Sequence, residues 1–201
     1  IYQLFPEPVY TSNLERKLTK EEVKTIAQYK KETYSNAGNL TSNENYVLEN
    51  KALNNLKKDL HTKVMDYFDK VICTDNLITP YITQSWINYT QSGQFHHQHH
   101  HPNSLVSGIF YVSADKKVDT VTFRKSYLDD KIKLNATKYN IFNSSTCTYP
   151  VETGNILFFR SSLGHGVDKK KGNNIRISLS FNIFIKGTIG DSKALTELIL
   201  E

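Results

Sequence analysis

The sequence predicts a mainly β fold with N-terminal helices, and two observations carry that prediction. After Pro80 the hydrophobic period changes to two, and β-branched and aromatic residues fill short runs broken by Gly, Asn, Asp and Ser. No helical pattern between these runs is long enough for the crossover that joins parallel neighbours. We therefore expect an antiparallel sandwich or barrel of the jelly-roll type.

The individual elements follow from local patterns. Thr19 and Glu22 match a capping box at the start of a first helix. A second helix is expected over residues 51–71, whose apolar side chains recur at steps of three and four. Strands are expected at residues 81–90, 104–113, 119–124, 137–142, 146–151, 155–160 and 174–186. Gly187, Gly190 and residues 192–200 indicate a turn and a short closing helix.

Length and composition favour one domain over residues 1–201. Within it we expect an N-terminal strand and supporting helices at 1–79, a jelly-roll core at 80–186, and the C-terminal turn and helix at 187–201. No apolar run approaches the roughly 18 residues that span a bilayer, so we expect a soluble, cytoplasmic protein without a membrane partner. Cys73 and Cys147 lie outside any CxxC spacing and are interpreted as buried, unreactive thiols.

The charge pattern does not favour a nucleic-acid partner. The formal net charge is +5, but basic and acidic residues alternate over most of the chain. The run Lys169-Lys170-Lys171 lies beside turn residues and is interpreted as a solvated loop. Nucleic-acid binding is therefore the less favoured alternative.

Five histidines fall within residues 94–101, in the run Gln-Phe-His-His-Gln-His-His-His. On a strand, His97, His99 and His101 would share one face, whereas His96 and His100 would share the other. An His-x-His pair suits Fe, Zn, Cu or Ni but needs a third ligand from elsewhere in the chain. Two other histidines exist. His61 lies in the second predicted helix and is interpreted as ordinary. His165, between two glycines in a predicted loop, is the candidate third ligand or else a surface residue.

The last long strand places Arg176, Ser178, Ser180 and Asn182 on one face, opposite an unbroken apolar face. If helices cover the apolar face, the polar face lines the interior. A buried Arg176 would then be costly without an anion, and its guanidinium suits a carboxylate. The alternative is an outer face with Arg176 in water.

These residues form an ordered series of motifs. In chain order the motifs are Gly93-x5-His99-x-His101, Ser107-Gly108-x-x-Tyr111, Pro150-x3-Gly154-x-x-Leu157, His165 and Arg176-Ile177-Ser178-x-Ser180-Phe181-Asn182. The series resembles the iron(II)/2-oxoglutarate-dependent dioxygenases, and more narrowly a prolyl-hydroxylase-like group of bacterial and phage 2OG-Fe(II) oxygenases. The specific motifs are confined to residues 86–182.

The resemblance implies a double-stranded β-helix (jelly-roll) with supporting α-helices, and a hydroxylase that uses Fe(II), O2 and the cosubstrate 2-oxoglutarate. Carried over residue by residue, it implies metal binding by His99 and His165, and a grip on the distal carboxylate of 2-oxoglutarate by Arg176. Tyr111 and Tyr89 match tyrosines that hydrogen-bond the cosubstrate, with Ser178 as a helper. Succinate and CO2 would be released. A phage-encoded member would act in the host cytoplasm.

One position departs from the family pattern. The usual Asp or Glu ligand two residues after the first histidine is replaced by His101. We expect His101 to coordinate, although water or a nearby carboxylate such as Asp168 is an alternative. The substitution raises the net charge of the site by one.

Two other interpretations use the same residues. A cupin begins with a similar histidine motif but expects a Glu where Leu105 and Val106 stand. A non-enzymatic jelly-roll binding module could keep a relic metal site. The substrate stays open among a peptide proline, an amino acid and a nucleotide, as does the oligomeric state.

Overall fold

The computed structural model describes residues 1–125 and 135–201 and contains two antiparallel β-sheets with two α-helices. The helices are α1 (Lys20–Gln28) and α2 (Asn54–Tyr67). The strands are β1 (Tyr10–Asn13), β2 (Thr33–Asn36), β3 (Asn39–Ser42), β4 (Ile78–Thr90), β5 (His96–His99), β6 (Val106–Ser113), β7 (Thr120–Arg124), β8 (Thr146–Pro150), β9 (Asn155–Arg160), β10 (Gly164–Val167), β11 (Arg176–Ile189) and β12 (Leu198–Leu200). The expected fold class, mainly β with supporting N-terminal helices, is confirmed.

The larger sheet has the strand order β1-β9-β6-β11-β4-β3-β2, with β12 added beside β11. The smaller sheet has the order β5-β10-β7-β8. All strand pairs within both sheets are antiparallel, as expected for chain segments without helical crossovers.

The larger sheet separates two hydrophobic clusters. On its outer face, Leu56, Leu60 and Val64 of α2 pack with residues such as Ile87 and Leu179 of the sheet. On its inner face, Ile109, Tyr111, Leu157 and Phe159 pack with Val121 and Phe123 of the smaller sheet. Adjacent residues of β6 and β9 thus serve opposite layers, which is the alternation that a strand imposes. Because the helices cover the outer face of the larger sheet, its inner face is left to line a pocket between the two sheets.

The first helix begins where the sequence indicates. Thr19 accepts a hydrogen bond from the backbone N–H of Glu22, and the Glu22 carboxylate accepts one from the backbone N–H of Thr19. Arg16 donates hydrogen bonds to both Glu22 and Asp59 and so links the start of α1 to α2. The capping box and the prediction of α1 are confirmed.

Five local expectations are wrong. Residues 137–142 form no strand, and the cysteines are exposed rather than buried. The segment 187–201 contains no helix, because Leu198–Leu200 instead forms β12 and pairs with Gly187–Ile189. Lys170 is 5% exposed and forms a buried ion pair with Asp119, so its run is not wholly solvated. The β2–β3 hairpin lies within residues 1–79, where one N-terminal strand and supporting helices were expected but no hairpin.

In the part of the chain that the structure describes, no helix is long and apolar enough to cross a membrane.

Candidate metal centre

Three histidines meet on the inner side of the smaller sheet. His99 of β5 and His165 of β10 are cross-strand neighbours, and their ring centroids lie 4.4 Å apart. His101 follows β5, with its ring 4.9 Å from that of His99 and 5.2 Å from that of His165. One ring nitrogen from each histidine lies within 4.8 Å of the others, close enough for a single metal ion to draw all three together. We call this set the inner triad.

The strand geometry corrects two expectations about these histidines. His165 lies in strand β10 and is 5% exposed, so it is neither a loop residue nor a surface residue. His165 pairs with His99, whereas Val167 pairs with His96, so the register shifts by one residue between these pairs. This irregularity turns His96 toward the same pocket as His99, although simple alternation places them on opposite faces.

Burial favours the neutral form of the inner-triad histidines, which is the form that binds a metal. Burial lowers the pKa of His165 to about 3 and that of His101 to about 4, and it also lowers the pKa of His99. The Nδ1 atoms of His99 and His165 lie 2.8 Å from the carbonyl of His97 and 3.0 Å from that of Leu163. A neutral ring that donates from Nδ1 keeps the Nε2 lone pair free. Two of the three rings are therefore neutral and oriented as metal ligands require.

Arg176 lies on the inner face at the start of β11, as the polar stripe predicts. It is only 2% exposed, which excludes the alternative of an Arg in water. Its Nη2 lies 3.4 Å from the Tyr111 hydroxyl, and its guanidinium carbon lies 5.0 Å from the centre of the Tyr111 ring. Nε has no hydrogen-bond partner, and Arg176 forms no ion pair with any residue that the structure describes. A buried cation without an anion is costly, so this position fits a carboxylate ligand.

Arg176 and the inner triad line one pocket, which opens to solvent. Polar side chains from β4 and β11 cover its wall, among them Asn88, Ser178 and Ser180. Trp86 lies at the wall with its ring 5.4 Å from that of His101. No Asp or Glu within residues 1–125 and 135–201 lines this pocket. Asp168, the alternative carboxylate ligand, instead accepts a hydrogen bond from Thr122 and lines a separate groove.

The expected cosubstrate contacts divide into two groups. Ser178 lies in the wall of the pocket, and Tyr111 reaches the pocket only through its contact with Arg176. Tyr89 does not belong to the site. It faces the helices, where its hydroxyl donates to the carbonyl of Ile26, because alternate residues of β4 point to opposite faces of the sheet. His61, interpreted as ordinary, lies 3.1 Å from the carbonyl of Pro80.

The part of the chain that forms the pocket matches a protein family. Residues 84–182, which contain the whole pocket, match the model of the family described as "Putative 2OG-Fe(II) oxygenase". No curated protein matches the chain in sequence. The family match favours an oxygenase over the cupin alternative.

Solved structures show the same fold at low sequence identity. A Trichoplax adhaerens prolyl hydroxylase in complex with a hypoxia-inducible-factor peptide is 15% identical, with a TM-score of 0.58 over 94% of this chain and 86% of that chain. HygX from Streptomyces hygroscopicus, solved with nickel, 2-oxoglutarate and hygromycin B bound, is 10% identical, with a TM-score of 0.58 over 88% and 82%. The α-ketoglutarate-dependent epimerase SnoN from nogalamycin biosynthesis is 12% identical, with a TM-score of 0.60 over 89% and 78%.

Fold and pocket together define a double-stranded β-helix with an imidazole cluster between its sheets. The family match makes the class specific: residues 84–182, which form the pocket, match the 2OG-Fe(II) oxygenases and indicate a 2-oxoglutarate-dependent oxidoreductase.

Proposed function

We propose that the protein holds Fe(II) on the inner triad, binds 2-oxoglutarate with Arg176, and hydroxylates an unactivated C–H bond with release of succinate and CO2. One observation carries the proposal: a buried guanidinium without an ion pair shares a pocket with three imidazoles that burial keeps neutral. Those features match a dianionic keto acid, one end of which binds a metal while the other end binds a cation.

The chain's own residues supply binding and orientation. Arg176 would hold the distal carboxylate, and Tyr111 would fix the guanidinium through the contact between Nη2 and its hydroxyl. Ser178, beside Arg176 on the pocket wall, would be a further hydrogen-bond partner for the same carboxylate. Fe(II) with bound cosubstrate would supply the dioxygen chemistry, and the surrounding side chains would limit water.

The ligand set distinguishes this chain from the two-histidine, one-carboxylate pattern. His101 has its ring within the triad, and no carboxylate within the described residues is placed to substitute for it. Three neutral ligands leave the full double charge of the metal uncompensated by protein. We therefore propose a centre one unit more positive than its carboxylate counterpart, with a stronger attraction for the anionic cosubstrate.

The substrate and location are likewise proposals. A peptide proline, a free amino acid and a nucleotide are all compatible with a pocket whose wall extends from the inner triad to Trp86 and Asn182. Two exposed cysteines without a disulfide fit a reducing compartment such as the cytoplasm.

Decarboxylation of 2-oxoglutarate tests the proposal without knowledge of the substrate. We expect Fe(II)-dependent succinate formation by the wild type, since uncoupled turnover does not require the second substrate. The His99→Ala variant should lose it, and His61→Ala, outside the pocket, should retain it. A fully metallated, folded preparation that neither binds nor decarboxylates the cosubstrate would contradict the proposal.

A further inference from the structure

A second triangle of imidazoles lies beside the inner triad and shares one member with it. The ring centroids of His96, His97 and His99 lie 4.5, 5.0 and 5.2 Å apart in pairs. One ring nitrogen from each lies within 4.8 Å of the others, as in the inner triad. The two triangles are nearly equal in size, and only the outer one contains an exposed histidine, His97.

We propose that His96, His97 and His99 form a second metal site, the outer site, for a divalent ion that prefers imidazole, such as Zn(II), Co(II) or Ni(II). Bonds of about 2.0–2.1 Å from nitrogen to metal place neighbouring ligand atoms roughly 3–3.5 Å apart. Side-chain rotation of the exposed His97 and of half-buried His96 can close the remaining gap. Water would complete the coordination on the open side.

The register irregularity in β5 creates the outer site. On a regular strand His96 and His97 would point to opposite faces, with His99 on the side of His97. The shift between the pairs His165–His99 and Val167–His96 instead brings His96 against His99, with the two rings stacked at 23°. The Asn36 side-chain amide lies 3.2 Å from Nε2 of His96 and holds that ring from the β2–β3 hairpin. With the amide oxygen turned toward Nε2–H, the lone pair of Nδ1 would be free to bind a metal.

The two sites compete for His99. Its Nδ1 lies 2.8 Å from the carbonyl of His97, which leaves Nε2 as the one ring nitrogen available to a metal. A single Nε2 lone pair serves one ion, so the outer and inner sites are filled in turn. Since the outer triangle contains the exposed His97, whereas no histidine of the inner triad is exposed, the outer site would capture a metal and transfer it inward. His99 would belong to both coordination spheres.

The test separates the two sites by mutation. In a His101→Ala/His165→Ala background only the outer triangle keeps three histidines. We expect this variant to bind one Co(II) per chain, measured by its visible d–d absorption. Adding His97→Ala should weaken the affinity at least tenfold. The matched control adds His100→Ala, which removes an exposed histidine of the same run that belongs to neither triangle, and it should leave the affinity unchanged.

His165 is buried, so a second background guards against misfolding. His101→Ala alone removes one inner ligand just after β5, and far-ultraviolet circular dichroism of each variant reports its fold. Absence of Co(II) binding in both folded backgrounds would overturn the outer site, as would equal effects of His97→Ala and His100→Ala.

The inference rests on the proposed function only through the shared His99. Co(II) binding in the double variant establishes the outer site whether or not the wild type binds 2-oxoglutarate. Conversely, a wild type that decarboxylates the cosubstrate while the double variant binds no metal keeps the proposed function and rejects the outer site.

Discussion

At the residue scale, the position of Arg176 is unfavourable for the stability of the fold but suitable for binding an anion. Its guanidinium is buried, lacks an ion pair within the described residues, and leaves Nε without a partner. Folding gains nothing from such a cation, whereas a carboxylate ligand would satisfy it. The polar face of the last long strand made this residue predictable from sequence.

Replacing Arg176 by Met should therefore weaken cosubstrate binding without lowering the stability of the ligand-free protein. We expect cosubstrate affinity to fall at least about 100-fold, because a buried charge-assisted contact of a few kcal/mol is lost. The ligand-free variant should be at least as stable as the wild type, as measured by urea unfolding. Arg160→Met, at an exposed arginine of β9, is the control and should change neither quantity. A large loss of ligand-free stability in Arg176→Met would show that the cation serves the fold instead.

The histidines show where residue-level prediction ends. His99, His101 and His165 were identified from spacing and resemblance, and the structure brings their rings together. His96 was missed because its orientation depends on a register shift that strand alternation cannot anticipate. Tyr89 was misplaced because a one-residue difference along β4 decides between the pocket and the helix-facing core.

At the element scale, hydrophobic period and capping chemistry predicted most of the architecture. The long strands β4, β6 and β11, the shorter β9 and helix α1 follow patterns that are local in sequence. The β2–β3 hairpin was missed because its strands are four residues long and mostly polar, with no alternation. The C-terminal segment has a helical pattern, but the free edge of β11 offers backbone partners, and pairing with that edge prevails.

Glu22 should make α1 sensitive to acid. Its side chain is 2% exposed, and the hydrogen bond from Arg16 holds the pKa of this carboxyl below its usual value, against the opposing effect of burial. A depressed carboxyl pKa stabilises the fold at neutral pH, and that contribution is lost as the pH falls below about 4.5 toward the folded-state value. Glu22→Gln should cost about 1–3 kcal/mol at pH 7 in urea unfolding.

The difference between Glu22→Gln and wild type should shrink between pH 5 and pH 3 as the wild-type carboxylate takes up a proton. Glu21→Gln, at the preceding exposed position, is the control and should be nearly neutral throughout. A Glu22→Gln deficit that is independent of pH would show that the charge is not the cause.

Gly108 should resist substitution because β6 and β11 approach closely there. A Cβ at this position would lie 2.3 Å from the ring of Phe181, its cross-strand partner. Gly108→Ala should therefore destabilise the protein by roughly 1–3 kcal/mol in thermal or urea unfolding. Adding Phe181→Leu should restore part of that loss relative to Phe181→Leu alone. Additive effects of the two changes would rule out the steric contact.

At the scale of the whole molecule, the site joins the two sheets. The smaller sheet provides His99 and His165, whereas the larger sheet provides Arg176. A metal alone would bind only the smaller sheet, whereas a metal with a chelated keto acid would contact both sheets. This division follows from sheet topology, which the sequence could indicate only through resemblance to a family, because the residues are far apart along the chain.

Metal and cosubstrate should consequently stabilise the fold cooperatively. We expect the increase in melting temperature from Ni(II) and 2-oxoglutarate together to exceed the sum of the separate increases, since each ligand improves the site for the other. The Arg176→Met variant should keep the increase in melting temperature that the metal alone produces, and it should lose the excess over the sum of the separate increases. Strictly additive shifts in the wild type would mean that the two ligands do not meet in one pocket.

The most direct measurement is an anaerobic titration of the Fe(II) protein with 2-oxoglutarate, followed by visible absorption. Chelation of the iron by the keto acid produces a charge-transfer band, so one signal reports iron, cosubstrate and their contact. We predict a saturable band with one cosubstrate per chain that is absent in His99→Ala and requires far more cosubstrate in Arg176→Met. A band that His99→Ala leaves unchanged would contradict the inner triad as the iron site.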